Sequence, residues 1–297
     1  AYSGEGTNLS EKGGANTYMI SPQAGIFFFD ASVKGNSEES VGVPASAELV
    51  WAVDANHNAS ENVLGNVELK DNLVFFKTTD STVPGNALIA VKDENGTILW
   101  SWHIWVVDYN PATQYHTYSS GAVMMDRSLG ATTATPDMND WSNTWRPAAG
   151  TLYQWGRKDP IMYETQTIQN EYFTSIEQSV NNPAIFAAGG DYWLYPMDEY
   201  LWSPDSKTMY DPCPAGWRVA PKSAWEGLTY DCSYSSYGCT LNVGNSQYIW
   251  LGHGPYMHSG GDYYENNGNG YIWTSDYYHG SIHGWSLRYG DGWWDFS

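Results

Sequence analysis

Basic residues are in short supply: 13 Lys and Arg stand against 33 Asp and Glu, for a net charge of −20 over 297 residues. A chain so acidic repels a phosphate backbone and an anionic membrane surface, so neither nucleic acid nor a lipid headgroup layer suits it as a partner. No segment has the apolar length of a membrane span. Cysteine is scarce too, with only Cys213, Cys232 and Cys239, and no C-x-x-C or Cys/His zinc spacing. The usual enzyme signatures are missing: no G-x-S-x-G elbow, no H-E-x-x-H, no P-loop and no G-x-G-x-x-G after a strand. A glycoside hydrolase needs only two carboxylates and no fixed motif. With 33 acidic residues no pair stands out. Strong helix formers are few.

Gly, Asn, Ser, Thr, Tyr and Trp are plentiful instead, a balance that favours strands joined by turns. The length suits two domains. Strand-like runs occur at Ile26 to Asp30, Glu48 to Val53 and Leu73 to Thr78. The clearest unit is a hairpin from Ala87 to Val107. Ala87 to Val91 is apolar on both faces, and Asp93-Glu94-Asn95-Gly96 supplies the turn. The return strand sets Ile98, Trp100, Trp102 and Ile104 on one face and Leu99, Ser101, His103 and Trp105 on the other. Short strands at this spacing predict a β-sandwich.

The polar stretch Asp108-Tyr109-Asn110-Pro111-Ala112 reads as a domain exit. The expected domains are therefore 1–110 and 111–297. Twelve of the 16 tryptophans follow that exit. Such a load on Gly-rich sequence predicts irregular loops pinned by ring packing. Two helices are expected, one over Gln169 to Val180 and one over Pro221 to Leu228, with Pro221 near its start.

Four motifs follow in order: Val123-Met124-Met125-Asp126-Arg127-Ser128-Leu129-Gly130-Ala131; Gly150-Thr151-Leu152-Tyr153-Gln154-Trp155-Gly156-Arg157-Lys158-Asp159-Pro160; Asp211-Pro212-Cys213-Pro214-Ala215-Gly216-Trp217-Arg218-Val219 with Trp225 beyond; and Tyr271-Ile272-Trp273-Thr274-Ser275-Asp276. This order resembles the FISUMP family, the Fibrobacter succinogenes major paralogous domain, which is similar to the C-type-lectin-like fold. The first part resembles the β-domain that precedes it in fimbria-associated proteins of Bacteroidetes, on Asn16 to Ile20, Val33 to Asn36, Gly85 to Asp93 and Trp100 to Trp105. The resemblance implies a mostly β chain with some α+β, an N-terminal β-sandwich followed by a C-type-lectin-like FISUMP domain. It further implies a secreted protein of the bacterial cell surface, outer membrane or fimbria, acting as a pilus-tip adhesin. The alternative is a structural fimbrial subunit that assembles by strand exchange with other subunits. Family members often carry a late cysteine; none follows Cys239 here, and the partner of Cys213 stays open. The cysteine pair of formylglycine-generating enzymes has no counterpart, so their chemistry is not carried over.

A glycan or surface receptor is the expected partner, because sugar rings lie flat on indoles while amides and carboxylates take the hydroxyls. The candidate contacts are Tyr256, Tyr263, Tyr264, Asn267, Trp285, Asp291, Trp293 and Trp294, with Tyr277 and Tyr278 nearby. Trp293 and Trp294 point to opposite faces if extended. Calcium is the one cofactor for which donors gather: Asp262, Glu265, Asn266, Asn269 and Asp276 carry hard oxygens, although a solvated Gly/Asn loop has the same composition. His253, His258, His279 and His283 also fall late, but Gly280 makes a helix between the last two poor. Trp155, Trp217, Trp225 and Trp273 are expected in the core. Arg127, Arg157 and Arg218 are expected in ion pairs with Asp126, Asp159 or Asp211. Cys232 and Cys239 lie in a short Tyr/Ser/Gly segment suited to a local disulfide.

Overall fold

The structure is a computed structural model. It describes residues 5–162, 166–190, 192–230, 237–254, 256–257, 261–264, 268–278, 284–290 and 293–297. The chain is mostly β. Eight strands precede residue 108: β1 (Thr7–Asn8), β2 (Thr17–Ile20), β3 (Gly25–Asp30), β4 (Ser46–Asp54), β5 (Val67–Lys70), β6 (Leu73–Thr78), β7 (Gly85–Lys92) and β8 (Ile98–Val106). They form two four-stranded sheets in the orders β1-β3-β6-β5 and β2-β8-β7-β4. The sheets share one core. Phe29, Val74 and Phe76 from the first meet Tyr18, Ile89, Trp102 and Ile104 from the second. Phe29 lies 4.9 Å from the Tyr18 ring and 5.0 Å from the Trp102 ring.

The β7–β8 hairpin is the centre of the second sheet. Its turn is closed by Asp93, whose Oδ1 accepts the backbone N–H groups of Asn95 and Thr97, and by Gly96 at φ +82°, a region open to glycine. Trp100, Trp102 and Ile104 fall on the core face, as the alternation predicts. The opposite face is equally buried, because the second half of the chain packs on it. Leu88 meets Met162, and Trp105 meets Met125 and Leu129. Ser101 Oγ donates to Asp159 Oδ1 at 2.7 Å, and Lys158 Nζ donates to Ser101 Oγ at 2.7 Å and Asp159 Oδ1 at 2.6 Å. Both Lys158 and Asp159 are buried. His103 Nε2 faces Asn86 Oδ1 at 2.8 Å, and Asn86 Nδ2 donates to Gly130 O at 3.0 Å. The two halves also share the sandwich core, which Val180, Met209 and Tyr210 join from beyond residue 110.

Two small sheets follow, β9 (Tyr115–Thr117) with β10 (Val123–Met125), and β11 (Thr167–Gln169) with β12 (Ile185–Ala187). Next come β13 (Thr229–Tyr230), β14 (Gly238–Gly244) and β15 (Gln247–Gly252) in one sheet, and β16 (Tyr256–Met257) paired with β17 (Tyr263–Tyr264). Finally β18 (Asn269–Tyr277), β19 (Gly284–Gly290) and β20 (Trp293–Phe296) form an antiparallel sheet. Leu241, Val243, Ile249, Leu251, Leu287 and Tyr289 join these last sheets in a second core with Trp225.

Both expected helices are shorter than the sequence pattern suggests. The first covers Ile176–Asn181 only. Ser175 caps it by accepting the Gln178 N–H, and Phe173 is instead bridged to Leu194. The second is a 3-10 turn at Lys222–Trp225. Gly227 at φ +78° follows it, so no helix continues to Leu228.

Two outcomes are expected. Asp159→Ala strands the Lys158 ammonium in the interface and should cost about 3 kcal/mol or more, in a single urea transition that unfolds both halves together. A loss below about 1 kcal/mol, or two separate transitions, would show that the pair does not bind the halves. Burial lowers His103 from 6.5 to about 3. The unfolded chain therefore takes up a proton below pH 6.5 that the folded chain refuses until about pH 3. Stability from this group is complete above 6.5 and is lost as pH falls. His103→Gln should flatten the acid limb by up to about 1.4 kcal/mol per pH unit; equal slopes for parent and variant would count against a buried neutral imidazole.

Candidate functional site

A cleft of about 1190 Å³ opens between the β18–β19 strands, the β9–β10 hairpin and the loops that carry the four motifs. Its lining is mainly aromatic. Trp155, Trp193, Trp202 and Trp225 are buried, whereas Tyr192, Trp217 and Trp273 are half-buried and Tyr271 is 38 % exposed. Indole N–H groups staple the irregular backbone around it. Trp155 Nε1 donates to Thr274 O at 2.9 Å, Trp193 Nε1 to Trp155 O at 2.7 Å, Trp202 Nε1 to Tyr210 O at 3.0 Å and Trp273 Nε1 to Tyr153 O at 2.8 Å. Each indole thus satisfies a backbone carbonyl of the cleft wall. A Cβ at Gly284 would overlap the Trp155 indole, so only glycine lets β19 approach here.

Trp217 reaches the cleft on a loop wound around one cation. Lys207 Nζ donates to Cys213 O at 2.7 Å, Pro214 O at 3.2 Å and Trp217 O at 2.6 Å, and lies 3.2 Å from Asp211 Oδ1. The Asp211 carboxylate takes the N–H groups of Cys213 and Val219, each at 2.8 Å. Asn16 Nδ2 donates to Asp211 O at 2.9 Å, which anchors the loop on the first half of the chain. Burial first, and then the Asp211 charge, push the Cys213 thiol up. A protonated thiol is a poor nucleophile.

Two buried polar groups of the lining have no hydrogen-bond partner: Tyr153 Oη and Trp225 Nε1. Burial raises the Tyr153 phenol well above its ordinary value, so it is a neutral donor. Among the described residues that line the cleft, Glu226 is the one carboxylate.

Two of the three arginines find partners other than those expected. Arg127 does pair with Asp126, at 2.7 Å. Arg157 instead donates to Gln154 Oε1, Ile185 O and Asn182 O, and burial pushes it down to about 10. Asp159 belongs to Lys158, and Asp211 to Lys207. Arg218 donates to Pro204 O.

Among the described residues, none of the contacts and calcium donors singled out in sequence lines this cleft. Trp293 is exposed, while Trp294 packs half-buried against the second core, so the adjacent rings do take opposite faces. Trp285 is half-buried against Tyr278 at 4.8 Å, with Lys222 Nζ 3.8 Å from its ring. Tyr256 lies in β16 opposite Tyr264, with Tyr263 in β17. Asp262 is exposed, and Asn269 opens β18 opposite Gly290. Asp276 Oδ2 accepts the Lys222 N–H at 2.6 Å and so caps the 3-10 turn. Glu265, Asn266, Asn267, Asp291, Cys232, His258, His279 and His283 lie outside the described residues. His253 is buried beside Tyr289. Among the described residues no three His, Cys, Asp or Glu side chains converge as a metal site. The half-buried Trp217 and Trp273, expected in the core, line the cleft instead. Tyr153, Tyr192 and Tyr271 also belong to it and carry no composition signal that sets them apart.

Comparison with protein-family models, curated proteins and solved structures gives no match.

Asp211→Ala should cost about 2 kcal/mol, since a carboxylate that takes two backbone N–H groups and an ammonium is lost. The Cys213 thiol should then react faster with an added disulfide reagent. Unchanged stability and thiol reactivity would mean that Lys207 alone shapes the loop.

Proposed function

We propose that this chain is a bacterial cell-surface or fimbria-associated adhesin, that its C-terminal half is a C-type-lectin-like unit of the FISUMP kind, and that this half binds a glycan in the aromatic cleft. The observation that carries the reading is Trp217. Its ring is half-exposed in the cleft, it makes no polar side-chain contact among the described residues, and its loop is held by Lys207 and Asp211 from below. A ring held on such a rigid mount presents a flat apolar face to a sugar at little entropic cost. Tyr153 Oη and Trp225 Nε1 add donors that a hydroxyl can satisfy. A protonated Cys213 gives the cleft no activated nucleophile, which favours binding over catalysis.

A second reading, subunit assembly by strand exchange, draws on one observation. β1 is two residues long, exposed, and pairs with only Phe27 and Phe28 of the six-residue β3. So short an outer strand is the element that an exchanged strand from another subunit would replace. Oligomers formed through this edge by a chain that binds no glycan would favour it.

A glycan array probed with and without calcium selects the ligand and also tests the oxygen donors at Asp262 and Asn269. Trp217→Ala, with an unchanged melting temperature, should then weaken binding by at least roughly tenfold. Unchanged affinity moves the site out of the cleft.

A further inference from the structure

At the edge of the cleft, Arg288 has no carboxylate partner among the described residues. Arg288 lies in the middle strand of the β18–β19–β20 sheet, directly opposite Tyr271 on one side and Asp295 on the other. Its guanidinium carbon is 5.7 Å from the Tyr271 ring centroid and 5.0 Å from that of Trp293. Among the described residues no carboxylate comes within ion-pair distance of it, Asp295 included, and its buried Nε has no hydrogen-bond acceptor. Lys34, Lys92, Arg127, Lys158 and Lys207 are all paired with acids. Arg157 and Arg218, which pair with no acid among the described residues, donate to oxygen acceptors instead; the buried Arg288 Nε has no acceptor of either kind.

The two rings flanking it are open to solvent, Tyr271 at 38 % and Trp293 at 37 % exposed. Tyr271 also lines the cleft. The arrangement combines a planar cation, whose donors fit a carboxylate in a fork, with aromatic faces that take the C–H side of a sugar ring. A net charge of −20 repels anions at a distance. An anionic ligand therefore needs a local cation held free for it, and Arg288 is such a cation.

We propose that the glycan bound by this protein is acidic, a uronic or sialic type of sugar whose carboxylate is taken by Arg288 between Tyr271 and Trp293, with the rest of the saccharide running past Tyr271 into the cleft. This rests on the glycan-binding reading above.

The test uses the full chain and matched pairs of ligands: an oligogalacturonate against its methyl ester, and sialyllactose against lactose. Each is titrated by calorimetry at low salt and again at high salt. The acidic member of at least one pair should bind about tenfold tighter than its neutral partner, and the preference should shrink with salt. The pair that responds distinguishes uronic from sialic ligands. Arg288→Gln should abolish the preference, and Arg288→Lys should restore only part of it, because an ammonium keeps the charge but not the fork. Both variants must melt as the parent does; if they do not, the acid-against-ester comparison on the parent decides alone. Equal binding of acidic and neutral members overturns the acidic-ligand proposal and leaves the glycan reading standing. An acidic preference that survives Arg288→Gln places the carboxylate elsewhere and overturns the assignment. Binding of neither class by folded parent removes the glycan reading and this proposal together.

Discussion

Lys158 places an ammonium between Ser101 and Asp159 at a depth where neither charge meets water. Burying two charges is costly unless their remaining valences are filled. Here they are: the ammonium also donates to Ser101 O at 3.0 Å, and Asp159 Oδ1 accepts from the Ser101 hydroxyl. The pair belongs to the second half of the chain and Ser101 to the middle of β8, so the network forms only when the halves meet. It lowers the freedom of the Trp155-to-Pro160 segment, and through Trp155 it fixes one side of the cleft. Arg157, next in sequence, turns the other way and ties that segment to Asn182 and Ile185. Three consecutive charged residues are thus spent on joining layers rather than on facing solvent.

A β-sandwich sheet usually has one face in the core and one in water. The β2-β8-β7-β4 sheet has none in water along β7, where all but Lys92 are buried. The covering layer is irregular loop, which cannot satisfy its own backbone. Indole N–H groups, the Lys207 ammonium and the Asp211 carboxylate take up that role. The same devices that satisfy the loops also hold Trp217 and Trp273 at the cleft. Structural and binding aromatics are therefore one population, separated only by how much of each ring is left open.

This is why the sandwich was legible in the sequence and the cleft was not. Alternation in β8 places Trp100, Trp102 and Ile104 on one face by geometry alone, and Leu73 to Thr78 is a strand end to end. Local rules suffice for both. The helix pattern at Gln169 to Val180 misled because Phe173 is buried by a bridge to Leu194, a contact that periodicity cannot distinguish from a helix face. Arg157 and Arg218 stand near acids in their motifs, yet Lys158 and Lys207 are the groups that pair with Asp159 and Asp211. Trp217 reads as core by its motif, and only the loop around Lys207 explains why its ring stays half open.

Charge supplies the last step. Thirty-three acidic residues give no direction to a ligand while they are spread over the surface. Direction comes from where the opposite charge is left unneutralised. Lys158 and Lys207 are consumed in building the scaffold, and Arg127 is held by Asp126 with its guanidinium 3.9 Å from the Tyr109 ring. Arg288 alone lies in a sheet row between exposed rings with a carboxylate in register yet out of reach. Aromatic faces hold a guanidinium without neutralising it. The strands that place Tyr271 and Trp293 on either side of that arginine also carry Trp273 into the cleft, two residues further along β18 on the same face. A saccharide spanning both would read its charge at the sheet and its shape in the cleft.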